Sequence, residues 1–497
     1  MSLSISVVFC ALIAVATCQS ATSFPPGFQF GTGTSSYQVE GGWNASDKGE
    51  HIWDRMTHDH PDRISDGSNG DVACDSYHQW QRDVEMAAEL GLDFYRFSIS
   101  WSRVLPTGFA NYVSEDGKNY YNKLIDGLLE KGIEPMITIY HWELPMSIQD
   151  LGGWANPLIV DWFGDYARVL YSLYGDRVKT WLTINEATVV CDFGYGMPAM
   201  APDVTDPIIG KYLCSKHIVL AHAKAWRIYD EEFKGIYNGR VSLANHMLWL
   251  EARKPEDEEV AELARQLSFG LYAHPIFTKE GGYPPAIEKL FAEVSLAEGY
   301  PTSRLPPYTK EEIEFARGTY DYLGMNQYTS RAVRRAQPGE DLGSFPLKGS
   351  PELNIILEMH PDATATGSAI LPSHPESLRR SLVWIKQQYG DQEVIITENG
   401  HGSNNVDLDD DSNRINYYKR YLEQLLLAIH EDGVKVTGYS AWSMMDNFEW
   451  TDGYQTMFGL YHVNFSDPER TRTPRQSARY YASVIKARSL DVPDTYE

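Results

Sequence analysis

Val394-Ile395-Ile396-Thr397-Glu398-Asn399-Gly400 is a short, β-branched apolar run that stops on a carboxylate. Such a run reads as a buried strand, and Asn399-Gly400 as the turn that ends it. Thr180-Trp181-Leu182-Thr183-Ile184-Asn185-Glu186 has the same form and also ends on a glutamate. Two strand ends that carry carboxylates can face each other across the mouth of a barrel. Strand patterns of the same kind fall at residues 28–35, 92–98, 135–140, 241–245, 322–326 and 436–442, making eight with 180–184 and 394–397. Helical patterns lie between them. In 120–131 the apolar positions are Leu124, Ile125, Leu128 and Leu129; in 414–431 they are Ile415, Tyr418, Leu422, Leu425, Leu426 and Ile429, a three-to-four period in both. Strands alternating with helices imply a parallel sheet. Eight of them over this length fit a single (β/α)8 TIM barrel with long βα-loop insertions, with an open sheet of six to ten strands as the competing topology.

A barrel places its chemistry at the C-terminal ends of its strands. The residues at and just past the end of each run are therefore informative. Gln38 and Glu40 come after the first, Arg96 lies on the second, and His141-Trp142 come after the third. Asn185-Glu186 end the fourth and Asn245-His246 the fifth. Asn326 and Tyr328 end the sixth, Glu398 the seventh and Trp442 the eighth, with Glu449-Trp450 beyond. A lone glutamate at a strand end is more often a salt-bridged surface group than an acid with work to do. Amides, imidazoles, indoles and carboxylates recurring in phase at eight strand ends are a different matter. They suit a hydroxyl-rich ligand, whose hydroxyls bond amides and carboxylates while indoles support the ring.

Bulk properties set the frame. The chain has 497 residues, 43% hydrophobic and 22% charged, enough for a large core. A net charge of −25 argues against nucleic-acid partners and anionic membranes. The apolar stretch 5–16 is too short to span a bilayer and precedes Thr17-Cys18-Gln19-Ser20. It reads as a secretory signal peptide, residues 1–20, leaving 21–497 as one catalytic domain in a secreted, extracellular protein. Cys10 and Cys18 depart with the signal, so Cys74, Cys191 and Cys214 are an odd set; whether Cys191 and Cys214 pair is left open. No Cys/His spacing suits zinc. Asn44 and Asn464 begin N-x-S/T sequons, so each is a candidate glycosylation site.

Several longer segments closely resemble glycoside hydrolase family 1, the β-glucosidase family, its secreted insect members in particular. They are Phe30-Gly31-Thr32-Gly33-Thr34-Ser35-Ser36-Tyr37-Gln38-Val39-Glu40-Gly41, Tyr95-Arg96-Phe97-Ser98-Ile99-Ser100-Trp101-Ser102-Arg103, His141-Trp142-Glu143-Leu144-Pro145, Ile396-Thr397-Glu398-Asn399-Gly400 and Trp442-Ser443-Met444-Met445-Asp446-Asn447-Phe448-Glu449-Trp450. The resemblance covers about residues 24–488. It implies a retaining mechanism, with Glu398 as nucleophile and Glu186 as acid and then base, and a carboxylate spacing of roughly 5–5.5 Å. Arg96 would keep Glu398 ionised and Tyr328 would donate to it, with Asn326 supporting both Glu398 and Tyr328. Gln38 and Glu449 would take the distal hydroxyls, and His141 and Asn185 those at O3 and O2. Trp442 would form the floor under the ring, with Trp450 beside it and Phe458 at the C6 edge. The glycone expected is unmodified glucose, with galactose or fucose as side activities. No cofactor or metal is implied; the partner is a small-molecule glucoside, and a homodimer is compatible with the family.

Departures concern the periphery. Ala187 replaces the usual proline after the acid, and Glu143, Met146 and Met457 stand where the family commonly has Asp, Gln and Arg. They bear on the leaving group, whose outer site falls to insertions such as 338–366. A thioglucosidase acting on glucosinolates (a myrosinase) shares the glycone site and is the alternative; an anionic aglycone would draw on Arg331, Arg334 or Arg335, which as a run of three read as solvated. A non-catalytic sugar-binding relative should have lost one carboxylate, and both are present.

Overall fold

The computed structural model describes residues 22–404, 408 and 410–493. The expected signal peptide, with Cys10 and Cys18, lies outside the described residues. Eight strands, numbered β1–β8 in chain order, form the barrel: β1 Gln29–Gly33, β2 Phe94–Ser98, β3 Glu134–Tyr140, β4 Thr180–Asn185, β5 Arg240–Ala252, β6 Leu323–Arg335, β7 Val394–Asn399 and β8 Val436–Trp442. All eight pair in parallel. The order β5-β4-β3-β2-β1-β8-β7-β6 closes through a β5–β6 pairing, which excludes the open sheet. Phe94, Met136, Leu182, Ala244, Tyr322 and Ile395 fill the bore as one apolar layer drawn from or beside six of the strands. The barrel is a packed core with its working face at the strand C-termini.

Alternation along β7 sends Ile395 into the bore, while Val394 and Ile396 pack with the outer core. Helix Glu115–Glu130 buries Tyr120, Tyr121, Leu124, Ile125 and Leu128, and Ser114 caps it by accepting from the Gly117 N–H at 3.0 Å. Leu129, expected on the same buried face, is 40% exposed; the two tyrosines, earlier in the helix, fill that side instead. Helix Ser412–His430 buries Ile415, Tyr418, Leu422, Leu425 and Leu426 as its period predicts, whereas Ile429, near its end, is only half-buried. A short strand, Ile355–Met359, runs antiparallel to the outer end of β6 and extends the wall above the barrel mouth. Among the described residues no helix is long and apolar enough to cross a membrane.

Two local irregularities matter most. Between β4 and β5 the register advances three residues on β4, from Leu182 to Asn185, for two on β5. On β7 it advances two residues, from Ile396 to Glu398, for one on β6. Each is an extra residue just before an acid, the bulge that re-aims a side chain at the end of a strand. Strict alternation would send Glu398 to the same side as Val394 and Ile396, away from the mouth.

Candidate active site

Glu398 and Glu186 are both buried, 4% and 5% exposed, and both line one cavity at the barrel mouth. Their partners differ. Arg96 Nη1 lies 2.5 Å from Glu398 Oε1, and the Tyr328 hydroxyl donates to Oε2 at 2.8 Å. Glu186 has no guanidinium or ammonium beside it: Asn326 Nδ2 donates to its Oε1 at 2.9 Å, and His246 Nδ1 stands 3.3 Å from the same oxygen. The two halves are joined. Asn185 Oδ1 accepts from Arg96 Nη2 at 2.7 Å and from Asn326 Nδ2 at 3.0 Å, while the Thr397 hydroxyl donates to Asn326 Oδ1 at 2.6 Å. Thr397 thereby sets which end of the Asn326 amide is the donor. The expected support of Glu398 and Tyr328 by Asn326 is replaced by support of Glu186. Asn326 does sit opposite Glu398 in register, but both Glu398 oxygens are already taken.

Electrostatics follow from this geometry. Burial lifts the Glu398 carboxyl to about 7; Arg96 and the Tyr328 hydrogen bond pull it down, and the neighbouring charge of Glu186 pushes it up. Two buried carboxylates in one site resist double ionisation. The Arg96 guanidinium favours the ionised form of Glu398. Burial disfavours the His246 imidazolium, yet the charge and hydrogen bond of Glu186, with Glu398 and Asp192 behind, outweigh it and raise its pKa. His141 is held well below the usual imidazole range by burial and by Arg96, so it is neutral.

Of the remaining predicted residues, His141, Trp442, Glu449, Trp450 and Phe458 line the same cavity, and Gln38 and Asn185 stand behind Glu449 and His141. Asn185 Nδ2 and His141 Nε2 are 3.1 Å apart. The His141 ring lies nearly parallel to Trp442 and Trp450, with centroids 5.8 and 6.0 Å away. Trp442, Phe458 and Tyr328 form one aromatic cluster with Leu371. Gln38 Nε2 donates to Asn447 Oδ1 and to the Phe448 carbonyl and reaches Glu449 Oε2 at 3.4 Å. Burial, then Asp452 and Glu398, push Glu449 well above the carboxylate range. Gly400 is required by contact: a Cβ there would fall 1.7 Å from the Trp442 carbonyl oxygen. Asn399, read as part of a turn, completes β7 instead and ties it to both neighbours, donating to the Gln327 carbonyl at 2.6 Å and accepting from the Tyr439 hydroxyl at 2.6 Å.

The outer part of the cavity is apolar. Val189, Phe193 and Met200 come from the segment after β4, Leu248 from β5, and Pro346, Leu347, Ile370 and Leu371 from the segments after β6. A Cys191–Cys214 disulfide anchors the first of these segments, and Cys74 is free and buried. Arg331 also lines the cavity. Its hydrogen bonds go to the Ser330 and Ile370 carbonyls and the Thr329 hydroxyl, and among the described residues it pairs with no carboxylate. Arg334 and Arg335 are neutralised by Glu340, Glu358 and Glu259. His246 and Trp142 are cavity residues whose strand-end positions are legible in the sequence but carry no role there. Asn245, beside His246, donates to the Gly324 carbonyl and does not line the cavity. Met457, which the sequence leaves without a rationale, is buried with its sulfur 3.7 Å from Arg475 Nη2, and Arg475 itself pairs with Asp446.

Paired buried carboxylates at the strand ends of a (β/α)8 barrel, one held by a guanidinium and both sharing a cavity with the indoles of Trp442 and Trp450, define a glycoside hydrolase. The profile described as Glycosyl hydrolase family 1 matches residues 20–490, and the chain belongs to that family. It is 44% identical to Myrosinase 1 of Brevicoryne brassicae over 93% of this chain and 98% of that protein. It is 39% identical to cytosolic β-glucosidase of Cavia porcellus over 95% of this chain and 100% of that protein. Among solved structures, a rice β-glucosidase mutant in a covalent complex with Glc superposes with a TM-score of 0.85 at 34% identity, covering 95% of this chain and 100% of that one.

Proposed function

We propose that the protein is a secreted retaining β-glucosidase that releases terminal, non-reducing β-D-glucose from O-glucosides. The observation that carries this is the asymmetry of the two carboxylates within one hydrogen-bonded network. Glu398, beside Arg96, is the ionised nucleophile and attacks the anomeric carbon. Glu186, beside an amide, delivers its proton to the leaving oxygen. In the second half-reaction it takes a proton from water, which attacks the glucosyl–Glu398 ester and restores the β-anomer. The covalent Glc complex of the rice relative supports the same two-step course. Gln38 and Glu449 bind the distal hydroxyls, His141 and Asn185 those at O3 and O2, and Trp442 carries the ring, with Trp450 and Phe458 at its edges. Asn44 and Asn464 are exposed, and Asn464 Oδ1 accepts from the Ser466 N–H at 3.1 Å; both carry glycans in this reading, in keeping with a secreted location.

A second reading has its own observation. Arg331 is a half-buried guanidinium without a carboxylate in an otherwise apolar outer wall, suited to an aglycone bearing negative charge, as in a glucosinolate. The retained acid Glu186 favours O-glucosides, and these are the primary reading. One hydrolysis panel decides: aryl β-glucoside, aryl β-galactoside, cellobiose and a glucosinolate, with the anomer of the first-formed sugar followed by NMR. Hydrolysis of the aryl glucoside with β-glucose appearing first is expected; first-formed α-glucose refutes retention. Preference for the glucosinolate, lost in Arg331→Gln, would transfer the assignment to the second reading.

A further inference from the structure

Away from the catalytic carboxylates, two histidines meet where nothing in the glycosidase chemistry calls for them. His360 directly follows strand Ile355–Met359, and His374 precedes helix Glu376–Tyr389. Their rings stack with centroids 4.0 Å apart and planes 20° from parallel. Both are buried, at 7% and 1% exposure. His360, His374 and Asp362 each present one ligand atom within 4.8 Å of the other two. We propose that these three residues form a binding site for a divalent transition-metal ion of the zinc class.

Three features support it. First, Nδ1 of His374 is already bonded within the protein, to the Ser330 hydroxyl at 2.6 Å, while Nδ1 of His360 turns its lone pair towards Asp362, 3.2 Å from the Asp362 N–H and 4.0 Å from its Oδ2. An outer partner such as Ser330 fixes the orientation of a metal-binding imidazole and leaves the other nitrogen to the ion. Second, the Asp362 carboxylate stands 4.0 Å from His360 Nδ1, too far for a hydrogen bond and of the order expected of two ligands sharing an ion at about 2.0–2.2 Å from each. Third, the Asp362 side chain is 76% exposed, so one ligand is free to swing and solvent has access. Arg380 is the nearby cation, and its charge is taken up by Glu251. Imidazole with carboxylate selects zinc, copper or nickel over magnesium and calcium.

The site closes the two ends of segment 360–374. That segment carries Ile370 and Leu371 of the cavity wall, and β6 holds it through Thr329 to the Pro372 carbonyl and Arg331 to the Ile370 carbonyl. An ion there would fasten the base of the aglycone wall. The test uses the full-length protein, stripped with a chelator and titrated with zinc and then magnesium by isothermal calorimetry. One equivalent of zinc should bind and magnesium should not. Asp362→Asn, at an exposed position that does not threaten folding, and His360→Gln should each weaken zinc binding about 10-fold or more. Amide exchange across 360–374 should slow with zinc in the wild type only. No binding at millimolar zinc, or undiminished affinity in both variants, overturns the proposal. Because binding itself is read, the result does not depend on the glucosidase assignment.

Discussion

Tyr328→Phe isolates a single interaction at the nucleophile. The Tyr328 hydroxyl donates to Glu398 Oε2 at 2.8 Å in a buried setting, and the Tyr328 carbonyl, which accepts from Tyr421 and Tyr417, survives the change. The ring also survives to pack on Phe458 and Trp442. A hydrogen bond to a charged group contributes about 1.5–3 kcal/mol, and one pKa unit corresponds to about 1.36 kcal/mol. The donor favours ionised Glu398, so its loss favours the protonated form. Free enzyme needs Glu398 ionised to attack, and Glu398 titrates at about 7 in the wild type. Without the Tyr328 hydroxyl the acid limb of kcat/KM therefore moves to higher pH by about one to two units. At neutral pH the variant should lose about 5- to 50-fold in kcat/KM through the smaller ionised fraction of Glu398. The assay is a pH profile of kcat/KM on an aryl β-glucoside, with circular dichroism to check the fold. An acid limb that stays in place, with rates within about twofold of wild type, would show that Tyr328 does not tune the nucleophile.

Glu398→Gln should abolish turnover, and Glu186→Ala should form the glucosyl-enzyme from an activated aryl glucoside and then stall, with azide releasing β-glucosyl azide; full activity of Glu186→Ala on alkyl glucosides would remove Glu186 from the acid role. Glu143 is buried and raised from 4.5 to about 8, chiefly by desolvation. The folded state thus holds this proton more tightly than the unfolded one, and stability falls as pH rises through that window. Glu143→Gln should flatten that part of the pH dependence of Tm, and an unaltered slope would refute it. Cys191→Ser with Cys214→Ser should lower Tm and, through Val189, Phe193 and Met200, raise KM for bulky aglycones; the loop-entropy account puts the stability loss at about 3 kcal/mol, and an unchanged Tm would contradict it.

The features legible in the sequence divide from the rest along physical lines. Strands are bounded by periodicity and turn chemistry, so β2, β3, β4 and β8 fall within a residue or two of their sequence patterns at the ends that carry function. Strands β5 and β6 run far beyond theirs, because Leu248 and Arg331 lie on a two-strand extension above the barrel that no local pattern announces. The bulges before Asn185 and Glu398 are invisible in the sequence, since an extra residue shows only in the register between strands that are far apart along the chain. Asn326 illustrates the same limit. Its place at a strand end is legible, whereas its choice of Glu186 over Glu398 depends on Thr397, Arg96 and Tyr328 converging from separate parts of the barrel. Arg331 separates from Arg334 and Arg335 for a similar reason: the carboxylates that neutralise the latter two come from Glu259, Glu340 and Glu358, and none reaches the first.

Strand β6 joins the chemistry to the choice of leaving group. Within six residues it presents Asn326 to Glu186, Tyr328 to Glu398, Ser330 to His374 and Arg331 to the outer cavity. It is paired to β5 as far as Ala252↔Val333, and on its other side to β7 up to Asn326↔Glu398 and to the antiparallel strand from Arg331↔Met359 onward. A one-residue slip would reverse every side chain along it, and this double pairing opposes such a slip. The glycone contacts, set by strand ends, are therefore hard to alter without losing the carboxylate network. The aglycone wall is made mostly by the segments after β4 and β6, where substitutions leave Glu398, Arg96 and Asn185 undisturbed. In the proposed reading, selectivity between an oxygen- and a sulfur-linked leaving group lies with Arg331 and its apolar neighbours, away from Glu398 and its hydrogen bonds.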